Sequence, residues 1–157
     1  MLHDASKAEA RQNKLLAALP EIEWERLRRN LKPVFLSLGE TLYESGIDLD
    51  RAYFLTTAIV SLECLMVDGS STESALVGND GLVGIEIFMG GASRTNRAVV
   101  QSAGRAFSLN CQVLKEEFAQ GGALQHLLLC YTQALMTLTA QTVPSRSGRV
   151  PSSRRGE

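Results

Sequence analysis

Residues 52–84 read AYFLTTAIVSLECLMVDGSSTESALVGNDGLVG, and their pattern decides the fold class. Ala52–Leu55 is an aromatic-rich run of strand type. Ile59–Val67 is the clearest strand, Asp68-Gly69 offers a hairpin turn, and Thr72–Val77 returns along it. Asn79-Asp80-Gly81 marks the next turn. Upstream, Val34, Leu36 and Leu38 alternate in Pro33–Leu38, Gly39-Glu40 turns the chain, and Thr41-Leu42-Tyr43 leads to the turn Glu44-Ser45-Gly46. Downstream, Arg97–Gln101 and Arg105–Leu109 flank the turn Ser102-Ala103-Gly104. Short strands separated by glycine-containing turns predict a rolled antiparallel barrel or sandwich.

Helices frame this β region, so the class is α+β, mainly β. Residues 1–31 carry helical spacing at Leu15, Leu16 and Leu19, interrupted by Pro20, and then Glu21 to Leu31. In the second segment Glu21, Glu23 and Glu25 precede Arg28, Arg29 and Lys32, the order that suits the helix dipole. Asn110 is a candidate N-cap for a helix through Val113, Leu114 and Phe118, which Gly121-Gly122 ends. From Ala123 to Thr142 runs the longest predicted helix. Leu124, Leu128, Tyr131, Leu135 and Leu138 follow a 4-3-4-3 heptad spacing along it. Such a seam serves either a second copy of the chain or the helix's own barrel. Leu127, Leu129 and Met136 form a second apolar face, left for the barrel if the seam takes the partner.

Composition bounds the rest. A chain of 157 residues with 45% hydrophobic and 21% charged residues builds one cored domain, and a net charge of -1 gives no basic field for nucleic acid. Cys64, Cys111 and Cys130 have no metal-knuckle spacing, and their odd number argues against a disulfide scaffold. The polar start and the lack of any run near 18 apolar residues point away from a signal peptide or a membrane span. A reduced, cytoplasmic protein is the reading that follows. With only His3 and His126, no ligand cluster for a metal enzyme stands out. The Cys130–His126 pair, four apart on one helix face, lacks a third orienting group. No enzyme is expected. The segment 143–157, VPSRSGRVPSSRRGE, holds four arginines, four serines, two prolines and two glycines. It is expected to be a disordered basic tail after a domain spanning 1–142.

The order of elements resembles the sensor domain of Crp/Fnr-type bacterial transcription regulators. The stretches that carry it are LKPVFLSLGETLYESG (31–46), residues 52–84 above, RAVVQSAGRAFSL (97–109) and the helix through Ala140-Gln141. The resemblance implies a cyclic-nucleotide-binding-like β-roll, a double-stranded β-helix or jelly roll, with N-terminal helices and a long C-terminal dimerisation helix. It implies as ligand a cyclic nucleotide or another small anionic effector, held where a Gly-Glu pair opens a phosphate cassette and an Arg closes it. Here Gly84 fits the opening glycine and Arg97-Ala98 the closing pair, with Arg94 a second candidate for the phosphate. The carboxylate comes one residue late, at Glu86 behind Ile85, and a one-residue shift swings a side chain by about 100°. Glu86 is therefore expected to point elsewhere. Three dispersed cysteines do not supply an iron–sulfur cluster, and no haem-attachment motif is present. The family's helix-turn-helix domain has no counterpart before Glu157, so no direct DNA contact is expected from this chain, which reads as truncated or frameshifted. Two functions follow as expectations. One is an effector-sensing, homodimerising domain; the other is a ligand-independent module that pairs with full-length relatives.

Overall fold

The computed structural model describes residues 8–44, 49–89 and 96–152; Arg94, His3 and the last five residues of the expected tail lie outside them. After a helical turn at 8–10 come α1 (Lys14–Ala17) and α2 (Glu21–Arg28). The roll follows as β1 (Lys32–Leu36), β2 (Thr41–Tyr43), β3 (Arg51–Leu55), β4 (Ile59–Leu65), β5 (Ser71–Val77), β6 (Leu82–Val83), β7 (Asn96–Ser102) and β8 (Gly104–Asn110). A 3-10 turn, Ile85–Ile87, sits between β6 and β7, and α3 (Cys111–Ala119) and α4 (Ala123–Ser152) close the chain.

The strands form two antiparallel four-stranded sheets, ordered β1-β8-β3-β6 and β2-β7-β4-β5. Period-2 alternation puts one set of side chains between the sheets, where Leu36, Tyr43, Leu55, Val60, Val77, Val83, Ala98, Val100 and Ala106 form one core cluster. The opposite face of the first sheet presents Ala52, Phe54, Phe107 and Leu109 to Leu16, Trp24, Leu27, Leu114, Leu124 and Leu128 of the helices. The α+β, mainly β expectation and the β-roll are thus the observed architecture.

The N-terminal region holds shorter helices than its spacing suggests, because Asn13 interrupts it. That side chain is fully buried, and its amide is completely used. Oδ1 accepts from the backbone N–H of Leu15 and Leu16, while Nδ2 donates to the carbonyls of Leu55 and Gly81 at 2.8 Å each. One residue therefore caps α1 and ties it to the end of β3 and the entrance of β6. Across the molecule, the Glu23 carboxylate accepts from the N–H groups of Ala123 (2.9 Å) and Leu124 (2.8 Å) and so caps α4 from α2.

The long helix corrects two expectations. It does not stop at Thr142 but runs to Ser152, through Pro144 and Pro151, which have no N–H to give the helical ladder. The heptad seam does not face outward either. Leu124, Leu128 and Leu135 are 2%, 0% and 8% exposed on the chain's own roll, and only Leu138 of the five is exposed. The outward face instead carries Leu129 and Met136, two of the three residues the pattern had left for the barrel, while Leu127 does pack against the core. A 4-3-4-3 spacing records that a helix has a buried side, not which body buries it.

Asn13→Ala strips two buried carbonyls and two buried amides of their partner at once. We expect a loss of about 3 kcal/mol, lowering the Tm by about 6–12 °C in a domain of this size. Urea and thermal melts of the purified variant check it.

Candidate ligand cavity

The segment after β6 begins at Gly84, whose φ of 120° suits glycine, and a Cβ built there would stand 3.2 Å from the Ala52 Cα. The backbone thus turns against β3 and enters the 3-10 turn Ile85–Ile87. Phe88, just past it, stacks on Phe118 of α3 with ring centroids 4.7 Å apart, which anchors the loop to the helical layer.

In this turn Glu86 does not point away, as its displaced position had suggested. Tyr43 of β2 donates its hydroxyl to Glu86 Oε2 at 3.1 Å and draws the carboxylate under the roll. The other oxygen, Oε1, is buried and has no hydrogen-bond partner among the described residues. Around them lies a cavity of about 130 Å³, walled by Tyr43, Leu62, Val83, Glu86 and, from α4, Leu135 and Met136. A bulge in β5 adds Ser74, whose hydroxyl donates to the Leu62 carbonyl at 3.2 Å.

Of the sequence-predicted site residues, Gly84 and Glu86 meet at this cavity. Ala98 is fully buried in the inter-sheet core opposite Tyr43. Arg97 is its neighbour on β7 and faces the other side of the sheet. There its Nε donates to Glu63 Oε1 at 2.9 Å, and Nη1 stands 4.0 Å from Glu44. No cation lines the cavity among the described residues. Tyr43 and Ser74 were not singled out from the sequence, because a hydroxyl on a short strand and a one-residue bulge leave no periodic mark.

On the helix side, Tyr131 of α4 donates to the Leu82 carbonyl at 3.3 Å. A Cβ on Gly81 would come within 2.6 Å of that ring, so the absent side chain is what lets the phenol approach. Burial pushes Tyr131 up to about 12, and burial together with the Glu86 carboxylate pushes Tyr43 higher still.

Comparisons with known proteins bear on the fold. No protein-family profile and no curated protein matches the chain. Solved structures do. The N-terminal domain of a transcriptional regulator from Streptomyces coelicolor A3(2) has a TM-score of 0.59 at 25% identity, over 85% of this chain and 94% of that one. A CooA variant from Carboxydothermus hydrogenoformans reaches 0.68 at 10% identity, over 91% and 93%. The chain has the fold of the cyclic-nucleotide-binding-like domains of Crp/Fnr-type regulators. The regulatory subunit of a cAMP-independent protein kinase A from Trypanosoma cruzi, bound to guanosine, is similar at a TM-score of 0.58 and 19% identity, with 64% of this domain covering 36% of that chain.

The two phenols give the domain an alkaline limit. Their folded-state pKa values lie above the ordinary 10.0, so the unfolded chain loses these protons first. The stability they contribute is whole below about pH 10 and falls as pH rises through about 12. We expect a falling Tm over that window, with a shallower fall in Tyr131→Phe, read from melts at stepped pH.

Proposed function

We propose that this domain is a ligand-sensing regulatory module rather than an enzyme, and that its effector is held by Glu86 in the cavity between the roll and α4. The observation that carries the reading is the buried, unpartnered Glu86 Oε1. A buried carboxylate oxygen without a donor is costly, and a ligand that supplies the donor removes the cost. The recognition group is an acceptor, so the ligand must bring hydroxyl or N–H groups. A nucleoside ribose has them. A cyclic phosphate would ask for a cation, whereas Arg97 is committed to Glu63.

Transmission follows from volume. A cavity of about 150 Å³ holds one benzene, and the present one is near 130 Å³. A nucleoside enters only if Leu135 and Met136 move outward with their helix. Ligand affinity then differs between two positions of α4, which is what coupling requires. Among the described residues Cys64, Cys111 and Cys130 form no disulfide, and no helix is long and apolar enough to cross a membrane. A cytoplasmic setting is part of this proposal.

Dimerisation belongs to the same proposal, with the face corrected. Leu129 and Met136 border an open groove with Met89 and Thr132, and a second copy of α4 is its natural occupant. Leu129→Asp should weaken self-association at least tenfold in sedimentation experiments with little change in Tm, because Leu129 is 44% exposed in the single chain.

The test of sensing is thermal unfolding with guanosine, cyclic AMP and cyclic GMP, on the wild type and on Glu86→Gln. A ligand at 100 times its Kd adds about 2.7 kcal/mol, or several degrees of Tm. Guanosine is expected to give the largest shift, and Glu86→Gln to remove most of it. If no purine ligand moves the Tm, or the shift survives Glu86→Gln, the reading is wrong.

A further inference from the structure

At the other end of the roll's inner face, hydrogen-bond donors converge in a groove that shares no residue with the Glu86 cavity. The strand register places Lys32 of β1, Ser108 of β8 and Tyr53 of β3 directly opposite one another, so their side chains form a row on one face. Arg51 lies two residues before Tyr53 and joins that face. It donates from Nη1 to Ser108 Oγ at 3.2 Å, and Ser108 is 1% exposed. Among the described residues neither Lys32 nor Arg51 has a carboxylate within ion-pair distance. Glu40 stands at the rim, its Oε1 already accepting from the Ser37 N–H at 2.9 Å. Burial raises the Tyr53 pKa, which keeps the phenol a donor. Beside this row run Val34 and Leu36, at two and four residues from Lys32 on the same strand face, and the groove measures about 380 Å³.

We propose that this groove binds a small organic oxyanion, its carboxylate or phosphate head on Arg51 and Lys32 and its apolar body along Val34 and Leu36. A guanidinium with one donor spent on a buried hydroxyl keeps the rest of its fork for a bidentate head. The exposed Lys32 ammonium, on the strand paired to β8, supplies a second charge without geometric demand. Two cations unpaired by the described residues, beside an apolar wall, offer little to a neutral ligand and suit an amphipathic anion. The site is independent of the sensing cavity, whose recognition group has the opposite charge.

The full chain is titrated with sodium benzoate and with inorganic phosphate, against sodium chloride at matched ionic strength, and Tm is followed. A saturable rise with benzoate, larger than with phosphate, is expected in the wild type. Arg51→Gln should raise the apparent Kd at least tenfold and Lys32→Gln a fewfold, while Glu86→Gln leaves the response unchanged. In parallel, benzoate should shift the backbone amide resonances of Lys32, Tyr53 and Ser108 in the unmodified protein, which needs no variant to fold. A response equal to that of chloride, a response that survives Arg51→Gln or is lost in Glu86→Gln, or amide shifts centred elsewhere would overturn the proposal. A response to phosphate alone would overturn the apolar half of it.

Discussion

The whole arrangement hangs on one side-chain amide. Asn13 is fully buried and spends all four of its hydrogen-bonding capacities, two on α1, one at the end of β3 and one at the entrance of β6. Its acceptor side starts α1, and its donor side holds the exit of β3 and the entrance of β6. Leu82, Val83 and Gly84 follow directly from that entrance and line the Glu86 cavity, so part of its wall is set by a residue some seventy positions earlier. Tyr131 then settles on Gly81 and Leu82 from the helix side. A polar network of this kind specifies a unique packing because every member is satisfied only in one arrangement.

Charge is distributed with the same economy. Arg97 and Glu63 neutralise each other across β4 and β7 on the outer face, and Arg26 does the same with Glu117 between α2 and α3. Glu23 is spent on a helix end. Against that background two charged places stand out as unmatched among the described residues, one acidic beneath α4 and one basic at the far end of the roll. Sites for ligands are expected where the fold leaves such groups unmatched.

The roll was legible in the sequence because its strands are short, alternating and punctuated by glycine turns, and because residues 52–84 concentrate that pattern. Helix starts were legible at Asn110, whose side chain does accept from the Gln112 N–H. What escaped was whatever depends on partners distant in sequence. Asn13 looks like any polar residue in a helical stretch, and Glu23 like a surface acid. Arg97 looked like an anion ligand until Glu63 was placed opposite it. Glu86 was misjudged for a related reason. Counting residues along a short turn gives a direction relative to the local axis, but Tyr43, on a different strand, decides where the carboxylate ends. The seam on α4 shows the limit of periodicity, since a stripe of leucines fits a partner helix and a β-roll equally well.

The capped start of α4 has a mechanical consequence. Glu23 fixes the first turn to α2, and a tilt about that end would grow with distance along the helix. Leu135 lies twelve residues from Ala123, about 18 Å along the axis, whereas Ser152 lies about 43 Å away. A push of about 1 Å at the cavity therefore becomes a sweep of roughly 2.4 Å at Ser152 by simple proportion along a helix of constant rise. In the proposed transmission the helix would act as a lever whose fulcrum is a carboxylate.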